Sequence, residues 1–168
     1  MEKKDFIIRK FEEGDSYEEL TDLLHRAYKK LADMGLKFVA TYQNAETTKK
    51  NLERGNCYLA IRDGKMTGAI LYYHSMWKDA PPFYKKETVG VFGKFAVEPE
   101  LQGTGIGRSL LSFVEECARK DGKKELALDT SEKALHLVEY YKKKGYKFAQ
   151  YWQWSATNYR SIIMAKTL

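Results

Sequence analysis

The chain has 168 residues, 43% hydrophobic and 31% charged, and its 29 Lys and Arg against 23 Asp and Glu give a net charge of +6. That size and balance fit one soluble domain over residues 1–168, with enough apolar side chains for a full core. They exclude a membrane-spanning protein, because no stretch approaches the roughly 20 apolar residues that a span requires. The two cysteines, Cys57 and Cys117, form neither a disulfide framework nor a metal-binding spacing. The opening residues carry no long apolar segment, so the expected compartment is the cytoplasm.

Residues 6–11 read as a first strand. Gly14-Asp15-Ser16 reads as a turn and N-cap before a helix over 16–34, where Leu20, Leu23, Leu24, Ala27, Tyr28 and Leu31 recur at helical spacing and Gly35 supplies a stop. A second helix is predicted over 45–53. Residues 57–62 and 65–73 form a hairpin across Asp63-Gly64, a strong two-residue turn signal. Residues 75–88 break the pattern, since Pro81-Pro82 cannot continue a central strand. This loop carries Trp77, Phe83 and Tyr84, and it reads equally as the wall of a pocket or as an aromatic loop packed on the surface. A central strand is predicted over 89–97. A helix over 105–121 follows, with Ile106, Leu110, Phe113, Val114 and Cys117 on its buried face. Residues 126–128 are a short buried strand. A last helix carries Ala134, Leu137, Val138 and Tyr141 on one face, and two closing strands flank 155–158. The order indicates a mixed α/β sheet.

The most informative stretch is 95–109, FAVEPELQGTGIGRS. A strand stops at Glu98-Pro99, and glycines 103, 105 and 107 then open an amphipathic helix. Such glycines let a ligand approach the backbone, and the first helical turn offers unpaired amides and partial positive charge to a phosphate. No Gly-Lys-Ser/Thr follows, so a Walker-type nucleotide loop is excluded. The glycine spacing and the position late in the chain also disagree with a first βαβ dinucleotide unit.

With the preceding strand and Gln102, the segment matches an R/Q-x-x-G-x-G/A coenzyme A loop, and the chain resembles the GNAT superfamily of N-acetyltransferases. Downstream, residues 125–129 look like that family's fifth strand, 131–144 like its fourth helix, and Tyr141 to Tyr146 matches a Y-x-x-x-G-F/Y ending. The resemblance implies a mostly antiparallel α/β sheet of about six or seven strands flanked by about four helices, with strands four and five splayed apart. It implies direct transfer of an acetyl group from acetyl-CoA to a primary amine of a small molecule or peptide. Phe95, Ala96 and Val97 would lie along the pantetheine arm, and Gln102, Gly103, Thr104, Gly105, Ile106, Gly107, Arg108 and Ser109 would hold the phosphates. Ser131, Tyr141 and Lys144 complete the expected cofactor site.

In the same analogy Val97 N–H is the oxyanion donor and Tyr141 the acid that protonates the departing thiolate. Tyr140 is the neighbour that a shifted alignment would choose. Ala134 stands where many relatives carry Asn. The fourth strand holds no carboxylate, so the base stays open among Glu87, which lies nearest the expected acceptor side, Glu98, Asp129, His74 and a water chain to solvent. The scattered His25, His74 and His136 show no metal-ligand spacing. Lys142-Lys143-Lys144 is too short to identify a nucleic-acid module. A second reading keeps the coenzyme site without catalysis, as an acyl-CoA sensor. Tyr151, Trp152 and Trp154 read either as core or as a homodimer contact.

Overall fold

The computed structural model describes residues 5–168. Seven strands, β1 (Ile7–Lys10), β2 (Gly55–Arg62), β3 (Lys65–Tyr73), β4 (Val89–Val97), β5 (Glu125–Ser131), β6 (Lys147–Trp152) and β7 (Ser161–Thr167), form one sheet in the order β1-β2-β3-β4-β5-β7-β6. All neighbours are antiparallel except β4 and β5. Four helices cover it, α1 (Tyr17–Asp33), α2 (Ala45–Leu52), α3 (Ile106–Lys120) and α4 (Leu135–Lys143). No helix among the described residues is long and apolar enough to cross a membrane.

Local chemistry explains the boundaries. Ser16 Oγ accepts the Glu19 amide at 3.0 Å and Asn44 Oδ1 accepts the Thr47 amide at 2.9 Å, so both early helices begin on side-chain caps. In the β2–β3 hairpin Asp63 and Gly64 have φ of 50° and 73°, the positive pair that a two-residue turn of this hand requires. Along β3, Leu71 and Tyr73 join one core layer with Leu20, Leu23 and Leu24 of α1, whereas Ile70 and Tyr72 join the other with Ile106, Leu110 and Val114 of α3. Both faces of the sheet are therefore covered.

The α3 stripe is rotated from the sequence expectation. Leu111 and Ala118 are buried with Ile106, Leu110 and Val114, whereas Phe113 is 38% exposed and Cys117 only half-buried. The reason is a pairing at the rim, where Phe113 packs on Tyr58 with ring centres 4.8 Å apart and Cys117 Sγ lies 3.7 Å from Tyr58 Oη. Buried Glu115 belongs to the same face and is satisfied by Tyr146 Oη and Lys166 Nζ, each at 3.0 Å.

Two irregularities in β4 shape everything downstream. Its parallel pairing with β5 covers only Val89↔Glu125, Gly90↔Leu126 and Val91↔Ala127. Beyond Val91 the strands part, while β5 stays paired with β7 as far as Ser131↔Ser161. On its other edge, β4 pairs Gly93 with Leu71 but Ala96 with Ala69, so Ile70 alone faces both Lys94 and Phe95. This is a β-bulge, and Lys94 takes a left-handed φ of 48°.

The rotated α3 face is testable. Leu110→Ala should cost about 2–5 kcal/mol through lost burial and a residual cavity. Phe113→Ala should cost about 1 kcal/mol, the scale of a rim aromatic pair. Urea unfolding of the two variants against wild type checks the order, and equal costs would restore Phe113 to the core.

Candidate active site

The parting of β4 from β5 opens a cavity of about 730 Å³. Glu98 N–H donates to Thr67 O at 2.8 Å, toward β3, so the alternation of an antiparallel strand turns the Val97 amide and carbonyl to the open edge. Gln102 Nε2 reaches that Val97 carbonyl at 3.4 Å. After the tight turn at Pro99–Leu101, Thr104 Oγ1 donates to Leu101 O at 2.5 Å and holds the loop. Gly103 and Gly105 then take φ of 81° and 95°, and a Cβ added at either would meet nothing within 4 Å. Gly105 caps α3, whose first amides point out of the helix as an anion site.

Most of the expected cofactor residues converge here. Phe95, Ala96, Val97, Gln102, Gly103, Thr104, Gly105, Gly107, Arg108, Tyr141 and Lys144 all line this cavity. Ile106, Ser109 and Ser131 do not. Ile106 is buried in the core beneath the loop. Ser109 lies one turn into α3, its amide on Gly105 O. Ser131 Oγ accepts the Lys133 amide at 3.1 Å in the turn before α4. Its neighbour Thr130 was not anticipated. Thr130 lines the cavity, and its Oγ1 is buried without a hydrogen-bond partner among the described residues.

A second cavity of about 350 Å³ meets the first. The two share Tyr28, Phe38, Phe95, Asp129 and Tyr141. At this junction the Phe95 amide faces the Tyr28 hydroxyl. Tyr141 packs against Tyr140 and Tyr146 with ring centres 5.2 and 5.9 Å away. Burial pushes the Tyr141 phenol well above its ordinary pKa. Asp129 projects from β5 and accepts Tyr84 Oη at 2.7 Å, Trp154 Nε1 at 3.0 Å and Ser161 Oγ at 3.4 Å. Burial raises its pKa, and these donors and Lys94 pull it back.

Loop 75–88 therefore contributes to a pocket, because Trp77 and Tyr84 line the smaller cavity. Trp154 lines it too, while Tyr151 lies exposed beneath the Arg160 guanidinium at 3.7 Å.

The carboxylates named from sequence are separated. Glu87 is exposed ahead of β4, its carbonyl accepting Lys123 Nζ at 2.7 Å, and it lines neither cavity. It sits at the paired end of β4, and the strands open at the other end. Glu98 is held by Arg26 through contacts of 2.9 and 2.8 Å outside both cavities. His74 is exposed at the end of β3. Asp129 is the one of these that faces both spaces.

Lys94 was not anticipated either, although a single cation inside the apolar run of 89–97 was a visible signal. Its Nζ donates to Gln43 Oε1 at 2.9 Å within the smaller cavity wall. Burial pulls the ammonium down to about 8, opposed by Asp129. Below that value folded and unfolded chains both hold the proton. Between about 8 and the ordinary 10.5 the unfolded chain alone holds it, so this group makes folding more favourable as pH rises through that window. The stability of wild type relative to Lys94→Met should therefore improve between pH 7 and pH 10, as read from urea unfolding at both values. An unchanged difference would mean that Lys94 titrates normally.

The glycine loop generates a second expectation. Gly105→Val places a branched side chain at a left-handed φ on the cavity wall. Acetyl-CoA affinity by calorimetry should fall about tenfold or more, the scale of losing a charge-assisted hydrogen bond. A folded variant with undiminished affinity would move the phosphate site elsewhere.

Comparison with known proteins gives a consistent result. The sequence profile of the Acetyltransferase (GNAT) family matches residues 17–146. An S-(2-succino)cysteine N-acetyltransferase of Bacillus subtilis (strain 168) is 31% identical over 131 residues, 77% of each chain. An S-alkylcysteine N-acetyltransferase of the same organism is 26% identical over 132 residues, covering 77% of this chain and 72% of that one. Among solved structures, a GNAT family acetyltransferase from Elizabethkingia anophelis with acetyl-CoA bound has a TM-score of 0.69 at 20% identity, covering 99% of this chain and 100% of that one. With its parted central strands, glycine loop and sheet order, the chain belongs to the GNAT family of acetyltransferases.

Proposed function

We propose that the chain transfers an acetyl group from acetyl-CoA directly to the primary amine of a small molecule, within one domain over residues 1–168 and in the cytoplasm. The observation that supports this reading is the shared wall of the two cavities, where Phe95, Asp129 and Tyr141 stand between the cleft at the glycine loop and an aromatic pocket. Acetyl-CoA fits the larger cavity on three grounds. These are the outward-facing amides at the start of α3, the open edge of β4 at Val97, and the unpartnered Thr130 Oγ1. The two Bacillus subtilis relatives are named for S-substituted cysteines, which favours a small amine over a peptide.

Acetyl-CoA supplies a thioester whose C–S bond breaks as the acceptor's C–N bond forms. The chain's own groups handle the charges and protons. Val97 N–H and C=O hold the arm that carries the thioester. Phe95 N–H lies at the junction and stabilises charge building on the carbonyl oxygen, so the donor role moves two residues upstream of Val97. Asp129 takes the proton that the attacking amine loses, in place of Glu87. Its raised pKa strengthens it as a base while its three donors keep it oriented. Tyr141, a phenol and so protonated at neutral pH, gives its proton to the departing sulfur.

Incubation with acetyl-CoA and a panel of primary amines should release thiol and N-acetylated product in equal amounts by mass spectrometry. Tyr141→Phe should lower turnover by roughly 10- to 1,000-fold with acetyl-CoA affinity little changed, since the hydroxyl acts mainly in the transition state. Acetyl-CoA binding without transfer to any amine would leave the chain a sensor. Full activity of Tyr141→Phe under chemistry-limited conditions would reduce Tyr141 to packing.

A further inference from the structure

We propose that the smaller cavity is a receptor for an α-amino acid, in which Lys94 Nζ binds the acceptor's carboxylate while its amine reaches the junction. This rests on the transfer reading above and names its substrate class. Among the described residues, Lys94 is the one cation lining that cavity. An ammonium has three donors. One goes to Gln43 Oε1 at 2.9 Å, and no carboxylate among the described residues forms an ion pair with it. A cation withdrawn from water without an anion is costly and needs a reason.

Neutralising Asp129 is an insufficient reason. That carboxylate is already held by the neutral donors of Tyr84, Trp154 and Ser161. The structure instead aims the ammonium. Gln43 is 3% exposed, and its Nε2 donates to Thr48 Oγ1 at 2.7 Å, which fixes the direction of the carbonyl that holds Lys94. Thr48 Oγ1 in turn lies 2.6 Å from Thr21 Oγ1. Lys94 also occupies the bulge with φ of 48°, a conformation that a residue with a side chain adopts at a cost and that is common at functional sites.

The chemistry of the ligand follows from adjacency. Lys94 is the residue before Phe95, whose amide lies at the junction. An α-amino acid carries amine and carboxylate on one carbon, so placing one group at the junction brings the other to the neighbouring position. The rest of the cavity suits the side chain. Trp77 and Trp154 cross edge to face with centres 5.8 Å apart, a surface for apolar or thioether groups. Asn51 Oδ1 in the same wall is buried without a partner among the described residues, a further polar atom that a zwitterionic ligand can satisfy.

The test compares S-benzylcysteine with its carboxamide and with S-benzylcysteamine, which lacks the carboxylate. Wild type should show kcat/KM at least about tenfold higher for the free acid, the scale of a hydrogen-bonded charge pair. Lys94→Met should abolish that preference mainly through KM while leaving the KM for acetyl-CoA unchanged, and Lys94→Arg should keep part of it. A binding arm uses quenching of tryptophan fluorescence by N-acetyl-S-benzylcysteine and its carboxamide with coenzyme A present. The acid should bind wild type about tenfold tighter or better, and Lys94→Met should treat the two alike. Equal handling of acid and carboxamide by wild type overturns the proposal, even if Lys94→Met fails to fold. Absence of binding by either probe, or an acid preference that survives in Lys94→Met, also overturns it. Carboxylate-selective binding without acetyl transfer removes the transfer reading and keeps the receptor.

Discussion

The site depends on how early β4 lets go of β5. A parallel pair normally continues as long as both strands stay extended, because each backbone donor and acceptor needs a partner. Here three residue pairs join the strands and the rest of each edge is left to other groups. The bulge at Lys94 and Phe95 adds twist to β4 and turns its backbone away, while β5 remains fixed to β7. The opening, the exposed Val97 amide and the position of Phe95 between two cavities all follow from that departure.

Asp129 shows how the two edges are then held at a working separation. It stands on β5, and its donors come from the aromatic loop before β4, from Trp154 after β6 and from β7 itself. Of these donors Tyr84 reaches across from the β4 side of the gap, while Trp154 and Ser161 fix the carboxylate from the β6 and β7 side. A polar group at this depth is expensive unless fully bonded, and that requirement fixes the surrounding side chains as firmly as close packing does.

Much of the fold was legible because local chemistry dictated it. The Asp63-Gly64 hairpin, the Ser16 cap and the glycine loop ahead of α3 each depend on residues adjacent in sequence. The apolar run marks the fifth strand at 126–128 and the family resemblance at 125–129, yet the polar Thr130 and Ser131 extend it to Ser131. Glu87 looked close to the chemistry because it precedes β4, but sequence order does not tell which end of a strand pair opens. A lone cation in a strand, such as Lys94, ordinarily faces solvent. The bulge that turns it into the cavity is a property of the β3–β4 register, which a single strand does not encode.

The three-pair seam also divides the sheet mechanically. Strands β1 to β4 form one plate and β5 to β7 another, stitched by few backbone bonds and otherwise by side-chain packing. A ligand lying in the gap touches both plates and supplies backbone partners where the stitching stops. Occupancy and folding are then linked equilibria, because anything bound only by the folded chain stabilises it by RT ln(1 + [L]/Kd). The unfolding midpoint of the chain would accordingly rise with the concentration of whatever occupies the gap.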